Sequence, residues 1–386
     1  MVKKDFNGAD GFAHHWQDSS SLLLPLATIA TLKAEAEQAE LAQQKEAEEK
    51  AAIATEQKAK KVATITPAPK ETVPPGRQDV EIFTQDAVEE FLDNQYRMDA
   101  AQKQAGQKVY EKLDNGGNRY RTIPTVQPSD ILALAAQFEN MAEPIKQLAA
   151  EVELMNHLPA DDFQLTPILL LGGPGIGKTA FAMALSKILG LPFKKLNGAE
   201  PSFVLTGSHP TWTKATPGLL ISQLALHNCA APLFLVDEID KPGGDRYPIT
   251  TALLDLLEPE NARGFKDEFF QIGFNARHAI WILTANTVAG VSDPLLSRMA
   301  VFDIPMPGIE QRKRIIDADF NKLRSRTGIN VNTTPDDLTS LAERIDLDLR
   351  KVTRIVRDSF ISALGQEKHR ATFILPPASK PQMGFV

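Results

Sequence analysis

The sequence predicts an α/β protein: a parallel five-stranded sheet flanked by helices, followed by a helical lid and preceded by a helical extension. Three observations predict it. From Thr166 onward five apolar, β-rich runs (PILLLGG, FKKLNG, PLFLVDEID, AIWILTAN and AVFDIPMP) alternate with helix-forming segments. Continuous apolar strands separated by helices imply a parallel sheet buried on both faces. The first run leads straight into a glycine-rich loop and a helix, and after the fifth run two helical stretches carry apolar faces of their own.

Composition limits the function classes. The chain has 386 residues, two or three domains at the usual ~100–200 residues each. A hydrophobic fraction of 43% with 24% charged residues is ordinary for a folded soluble protein and excludes wholesale disorder. Forty-two Lys plus Arg against 49 Asp plus Glu give a net charge of -7, so no global basic field attracts nucleic acid or an anionic membrane. The single cysteine, Cys229, excludes an internal disulfide and a cysteine-built zinc site, which fits a reducing, cytoplasmic compartment. The early apolar run at 22–32 (LLLPLATIATL) is interrupted by Pro25. It is about half the ~20 residues a membrane helix needs, and it lies too far behind Lys3 and Lys4 to read as a secretory signal.

The expected divisions follow composition. Residues 1–63 read as a helical, partly disordered arm, because 33–62 are almost entirely Ala, Glu, Gln and Lys with no Gly or Pro. Its apolar positions are too sparse for a coiled coil, so it is either a solvated helix or one that binds a partner. His14-His15-Trp16 has no supporting ligand cluster and reads as tail sequence. The four prolines of 64–78 make a linker. Residues 79–160 read as a helical region, in which Ile131, Leu134, Phe138, Met141, Ile145, Leu148 and Val152 recur at intervals of three or four as one buried helix face requires. The nucleotide-binding α/β domain spans 161–307, the lid 308–370 and a tail 371–386.

Chemistry concentrates at three strand ends. After the first strand, Gly172-Gly173-Pro174-Gly175-Ile176-Gly177-Lys178-Thr179 fulfils G-x-x-x-x-G-K-[ST] in the strand-loop-helix context that the motif needs. Its glycines let backbone N–H groups curl around a β-phosphate, and the helix start aims its positive dipole end at the same anion. Lys178 adds a charge toward the β- and γ-phosphates, and Thr179 offers a hydroxyl to magnesium. The strand at 233–236 ends in Asp237 and Glu238. Asp237 can hold the metal's hydration shell and Glu238 can polarise an attacking water, so the adjacent pair points to hydrolysis of ATP. The strand at 279–283 runs into Thr284-Ala285-Asn286; the amide of Asn286 either orients the lytic water or merely forms a turn. Arg298 follows, just before the fifth strand.

The order GGPGIGKT, VDEID, TAN and PLLSRM resembles an AAA+ ATPase, and TALLDLLEPEN, FKDEFF and TANTVAGVSDPLLSRMAVFDIP are similar in register to the ATPase module of the Lon protease family over about 165–364. The resemblance implies assembly into a ring, expected as a hexamer, with Arg298 as the finger on a neighbour's nucleotide. It also implies that Arg350 in the lid is a second sensor of the γ-phosphate, leaving Arg354 as a structural ion-pair residue. The Lon family carries an aromatic on the loop facing the central pore. Trp212 matches it, with Lys214 in place of the usual glycine, and Tyr247 in KPGGDRY is the candidate on a second, shortened pore loop.

The lid is also legible by itself. Thr334-Pro335-Asp336-Asp337 is a strong helix start. Leu338, Leu341, Ala342 and Ile345 are expected on its buried side, followed by a helix with Leu349, Val352, Ile355, Val356 and Phe360 inward. Ser379-Lys380 lies in a Pro-rich tail and is no Ser-Lys dyad, so the family's proteolytic domain is expected to be missing. These features point to an ATP-driven protein remodeller with a polypeptide client and no protease of its own. An AAA+ motor on nucleic acid and a nucleotide-switched scaffold are the alternatives.

Overall fold

The computed structural model describes residues 12–17, 20–25, 78–114, 119–241, 246–366 and 370–377. The chain divides into two units, Met1–Glu71 and Thr72–Val386. In the first, β1 (Phe12–Gln17) and β2 (Ser20–Pro25) form an antiparallel hairpin with Phe12 opposite Pro25 and Gln17 opposite Ser20. This departs from the reading of 1–63 as a helical arm and puts His14-His15-Trp16 on a strand. The helix expected over 33–62 and most of the linker lie outside the described residues.

The second unit opens with β3 (Gln78–Glu81), α1 (Gln85–Arg97), α2 (Ala100–Asp114) and β4 (Tyr120–Ile123). β3 and β4 pair antiparallel, Gln78 opposite Ile123. The region read as helical over 79–160 also holds these two strands, which at four residues each are too short to show a clear alternation in sequence. Arg121 seats the ribbon by donating to the carbonyl oxygens of Leu224 and Ala225, and burial lowers its pKa to about 10. All seven residues of the 131–152 periodic set are buried, yet they do not share one helix. Short helical turns carry Ile131, Leu134 and Met141, and α3 (Ala142–Asn156) carries Ile145, Leu148 and Val152. The break falls at Phe138, whose φ of -121° and ψ of 60° are not helical.

The sheet holds β5 (Ile168–Leu171), β6 (Phe193–Asn197), β7 (Leu233–Asp237), β10 (Ile280–Ala285) and β11 (Ala300–Asp303), all parallel, in the order β11-β5-β10-β7-β6. The helices α4 (Lys178–Leu189), α5 (Leu219–Leu226) and α6 (Ile249–Leu256) connect or flank these strands. Between α6 and β10 a hairpin is formed by β8 (Phe265–Asp267) and β9 (Ile272–Phe274). The fold class is the one the sequence predicts. β7 and β10 are buried along their whole length, whereas the edge strands β6 and β11 are only partly covered, which is why they read as mixed rather than continuous apolar runs.

The lid comprises α7 (Ile309–Thr327), α8 (Pro335–Ala342) and α9 (Leu349–Gly365) around a separate core of Ile316, Phe320, Leu341, Val352, Val356 and Phe360. α8 starts as the sequence predicts, with the Thr334 hydroxyl accepting from the Asp337 N–H at 3.2 Å. Ile345 does not join the core and is 67% exposed, because α8 ends at Ala342 and Leu347 takes the inward position. Arg312 on α7 is fully buried; its guanidinium donates to the carbonyls of Ala342 (2.9 Å), Arg344 (2.8 Å) and Leu347 (3.0 Å). It thereby satisfies the carbonyls left free where α8 ends. Among the described residues no helix is long and apolar enough to cross a membrane.

The Arg312→Met substitution is expected to strand those three carbonyls and destabilise the lid by about 3 kcal/mol. Hydrogen exchange of 335–365 checks this: faster exchange in the lid than in the sheet is the expected outcome, and an unchanged lid would show that Arg312 is dispensable.

Candidate nucleotide site

The sheet order sets the site. With β10 between β5 and β7, three strand ends lie side by side: the loop after β5, Asp237 and Glu238 where β7 ends, and Ala285 and Asn286 where β10 ends. The Gly172 N–H donates to the Ala285 carbonyl at 3.1 Å, locking the loop to the neighbouring strand. Gly172 has φ of +151°, and a Cβ there would lie 2.6 Å from the Ile304 carbonyl oxygen, so no side chain fits. The Lys178 ammonium donates to the carbonyls of Gly172, Gly173 (3.1 Å) and Ala285 (3.2 Å). Burial, with Arg350 as a minor contributor, lowers its pKa, while Asp237, Asp240 and Glu238 oppose the shift.

Asp237 is the hub. Its Oδ1 accepts from the Thr284 hydroxyl, and its Oδ2 faces both the Thr179 hydroxyl (3.3 Å) and the Lys195 ammonium (2.6 Å). Burial alone would raise this carboxyl, but Lys195, Thr284 and Thr179 outweigh it and hold the pKa below the usual range. The donor set fits magnesium, since Thr179 and Asp237 offer adjacent hard oxygens. The next residue, Glu238, has φ of +60°, strained for a side chain of that size. Two contacts enforce the turn: the Glu238 N–H donates to Thr284 Oγ1 at 3.0 Å, and Gly198 makes room, since a Cβ there would meet the Glu238 carbonyl oxygen at 2.5 Å. The Glu238 carboxylate pairs with Lys241 at 2.7 Å.

Lys178, Thr179, Lys195, Asp237, Glu238 and Thr284 border one cleft of about 770 Å³, which also holds Pro174, Gly175, Ile176, Gly177, Asn286 and Arg350 in its walls. The lid closes one side: the Leu349 N–H donates to the Gly175 carbonyl at 3.0 Å, which fixes the start of α9 and so places Arg350. Arg354 pairs with Asp358 at 3.7 Å. Arg298 does not border the cleft. It faces Glu258 at 3.2 Å and donates to the Pro294 carbonyl at 2.7 Å.

A separate loop carries Trp212, 41% exposed, with Lys214 at φ of +62°, the backbone conformation that favours glycine. Trp212 packs edge-on to Phe203 (5.8 Å) and against Tyr247 (5.5 Å), so the structure brings the two aromatic candidates together; residues 242–245 of the second loop lie outside the described residues. Gln102 of α2 reaches the loop through the Pro210 carbonyl at 2.7 Å. At its base the buried Asp267 accepts from the N–H groups of Gly218 (2.9 Å), Phe269 (3.0 Å) and Phe270 (2.8 Å). Sequence reasoning missed Lys195, Thr284, Phe203 and Asp267. Only Lys195 left a signal, as one of two adjacent lysines in a short strand.

The chain is similar to known proteins in sequence and in fold. Residues 168–305 match the model of the ATPase family associated with various cellular activities (AAA). The Lon protease of Porphyromonas gingivalis is 30% identical over 213 residues, which are 50% of this chain and 25% of that protein. The peroxisomal Lon protease homolog 2 of Spinacia oleracea is 36% identical over 153 residues, 39% of this chain and 17% of that one. Lon protease 1 of Borreliella burgdorferi is 36% identical over 141 residues, 36% and 17% of the two chains. The chain thus spans no more than about a quarter of the length of these relatives. Its fold is similar to a chain in the closed-state cryo-EM reconstruction of Hsp104 with ATPγS and FITC casein, with a TM-score of 0.50 and 16% identity over 62% of this chain and 48% of that one. Residues 168–305 are therefore similar to the AAA family, and up to half of the chain is similar in sequence to Lon proteases.

Burial pushes the Asp267 carboxyl up to about 7, against the three N–H donors that favour its charged form. An unfolded Asp titrates near ~4, so between those values the folded chain holds the extra proton. The resulting stability is complete below pH ~4 and is lost as pH rises toward 7. Urea unfolding at pH 5, 6 and 7 should show the natural chain losing up to about 1.4 kcal/mol per pH unit relative to Asp267→Asn. Parallel curves would place the Asp267 titration elsewhere.

Proposed function

We propose that this protein is a magnesium-dependent ATP hydrolase that assembles into a ring, expected as a hexamer, and uses turnover to remodel or thread a protein client without cutting it. The observation that carries the reading is the convergence of Lys178, Thr179, Asp237, Glu238, Asn286 and Arg350 on one cleft. The similarity of the module to Lon ATPase regions supports it.

In this reading the loop 172–177 wraps the phosphates with its N–H groups, and Lys178 exchanges its loop carbonyls for phosphate oxygens. Thr179 and Asp237 hold magnesium, which when bound neutralises phosphate charge. The strained turn at Glu238 aims its carboxylate along the cleft, where it accepts a proton from water, with Asn286 orienting that water. Arg350 reports the γ-phosphate to the lid through the start of α9. Arg298 serves the neighbouring subunit, which is supported by its position outside its own cleft. Trp212, with Tyr247 and Lys214 beside it, grips the client; an exposed aromatic pair offers a broad contact indifferent to sequence.

Lys178→Ala is expected to weaken ATP binding, whereas Glu238→Gln should keep binding and lose about 10²–10⁴ in turnover. Arg298→Ala should also keep binding, lose turnover, and regain part of it when mixed with Lys178→Ala subunits. Binding and phosphate release, measured on mixed oligomers of known mass, check all three. Equal loss of binding in Lys178→Ala and Glu238→Gln would overturn the assignment of roles, and no recovery in mixed oligomers would overturn the finger in trans.

A further inference from the structure

Asp237 is engaged by its own chain on both oxygens. Thr284 occupies Oδ1, and Oδ2 is met by Thr179 and by the ammonium of Lys195, the latter at 2.6 Å. Lys195 lies on the edge strand β6, two residues before Asn197, which sits opposite Asp237 in the ladder. Its side chain is 48% exposed, whereas that of Asp237 is 11% exposed. The carboxylate is therefore held in place, and the lysine has open solvent on one side and four rotatable carbons with which to leave.

Two cations drawn to one carboxylate oxygen repel each other, and their repulsion is strong where that oxygen is sheltered from water. Lys178 is committed to two loop carbonyls and to that of Ala285 at the end of β10, so Lys195 is the lysine whose ammonium meets Asp237. We propose that Lys195 is a built-in counter-cation that competes with magnesium for Asp237 and so sets the metal concentration at which the nucleotide site loads. The inference rests on the ATPase reading above and extends it to the regulation of the same site. Before loading, Lys195 keeps Asp237 charged and oriented. On loading, it swings off Oδ2 into solvent, and the cost of that release raises the magnesium requirement.

The test is calorimetric binding of ATPγS to the full chain across a magnesium chloride titration. Lys195→Met is expected to lower the half-saturating magnesium concentration about five-fold, the scale of one partly exposed ion pair. Lys195→Gln should shift it the same way, Lys195→Arg should leave it near the natural value, and ATPγS affinity without metal should change less than about two-fold. Thermal melting establishes that each variant is folded, and either uncharged variant suffices. An unchanged magnesium requirement in a folded uncharged variant overturns the inference. So does a loss of metal-free ATPγS affinity, which would put Lys195 on the phosphates. If the natural chain binds no ATPγS at any magnesium concentration, the ATPase reading falls and this inference with it; binding without the shift overturns the inference alone.

Discussion

The Thr284 hydroxyl ties the ends of two central strands together, donating to the Asp237 carboxylate and accepting from the Glu238 N–H. Much of the site depends on that link. It fixes Asp237 against Thr179 and turns Glu238 into its left-handed conformation. One residue on, the Ala285 carbonyl receives both the Gly172 N–H and the Lys178 ammonium. The glycine-rich loop, Asp237 and Glu238 are thus anchored on a single strand end. Strain at Glu238 persists because fixed neighbours on β10 and at Gly198 leave the turn little alternative.

Contact with the lid extends this arrangement beyond the sheet. Gly175 accepts the first N–H of α9, and Asp348 caps that helix by accepting from the Lys351 N–H at 2.9 Å. One hydrogen bond thus links the glycine-rich loop to α9, and Thr353 and Asp319 link α9 to α7 at 2.7 Å. Arg312 then couples α7 to the end of α8. These bonds tie the three lid helices to one another around a core separate from that of the sheet.

What the sequence revealed was whatever chemistry is contiguous. The phosphate loop, the acid pair after β7 and the Thr334 cap each occupy neighbouring positions, and each can be read without knowing which strands are adjacent. Lys195 and Thr284 act across strands, so their roles appear only once β10 is known to lie between β5 and β7 and β6 beside β7. Asp267 is harder still, because its partners are backbone N–H groups at 218, 269 and 270, which any sequence would supply. The region 79–160 shows the opposite failure. Its apolar period is real and every residue of the 131–152 set is buried, but a core can be lined by successive short turns as well as by one helix. Phe203 went unremarked because aromatic contact with Trp212 and Tyr247 depends on loop conformation.

Under the proposed function, nucleotide turnover in the cleft acts on a polypeptide held at Trp212. A photo-crosslinking phenylalanine analogue at position 212, in a chain that also carries Glu238→Gln, tests it most directly. After illumination with a permanently unfolded polypeptide, adduct formation to that polypeptide should require ATP and disappear without nucleotide. Adducts confined to the protein's own residues, whatever nucleotide is present, would contradict the account and make Trp212 a packing residue of its loop.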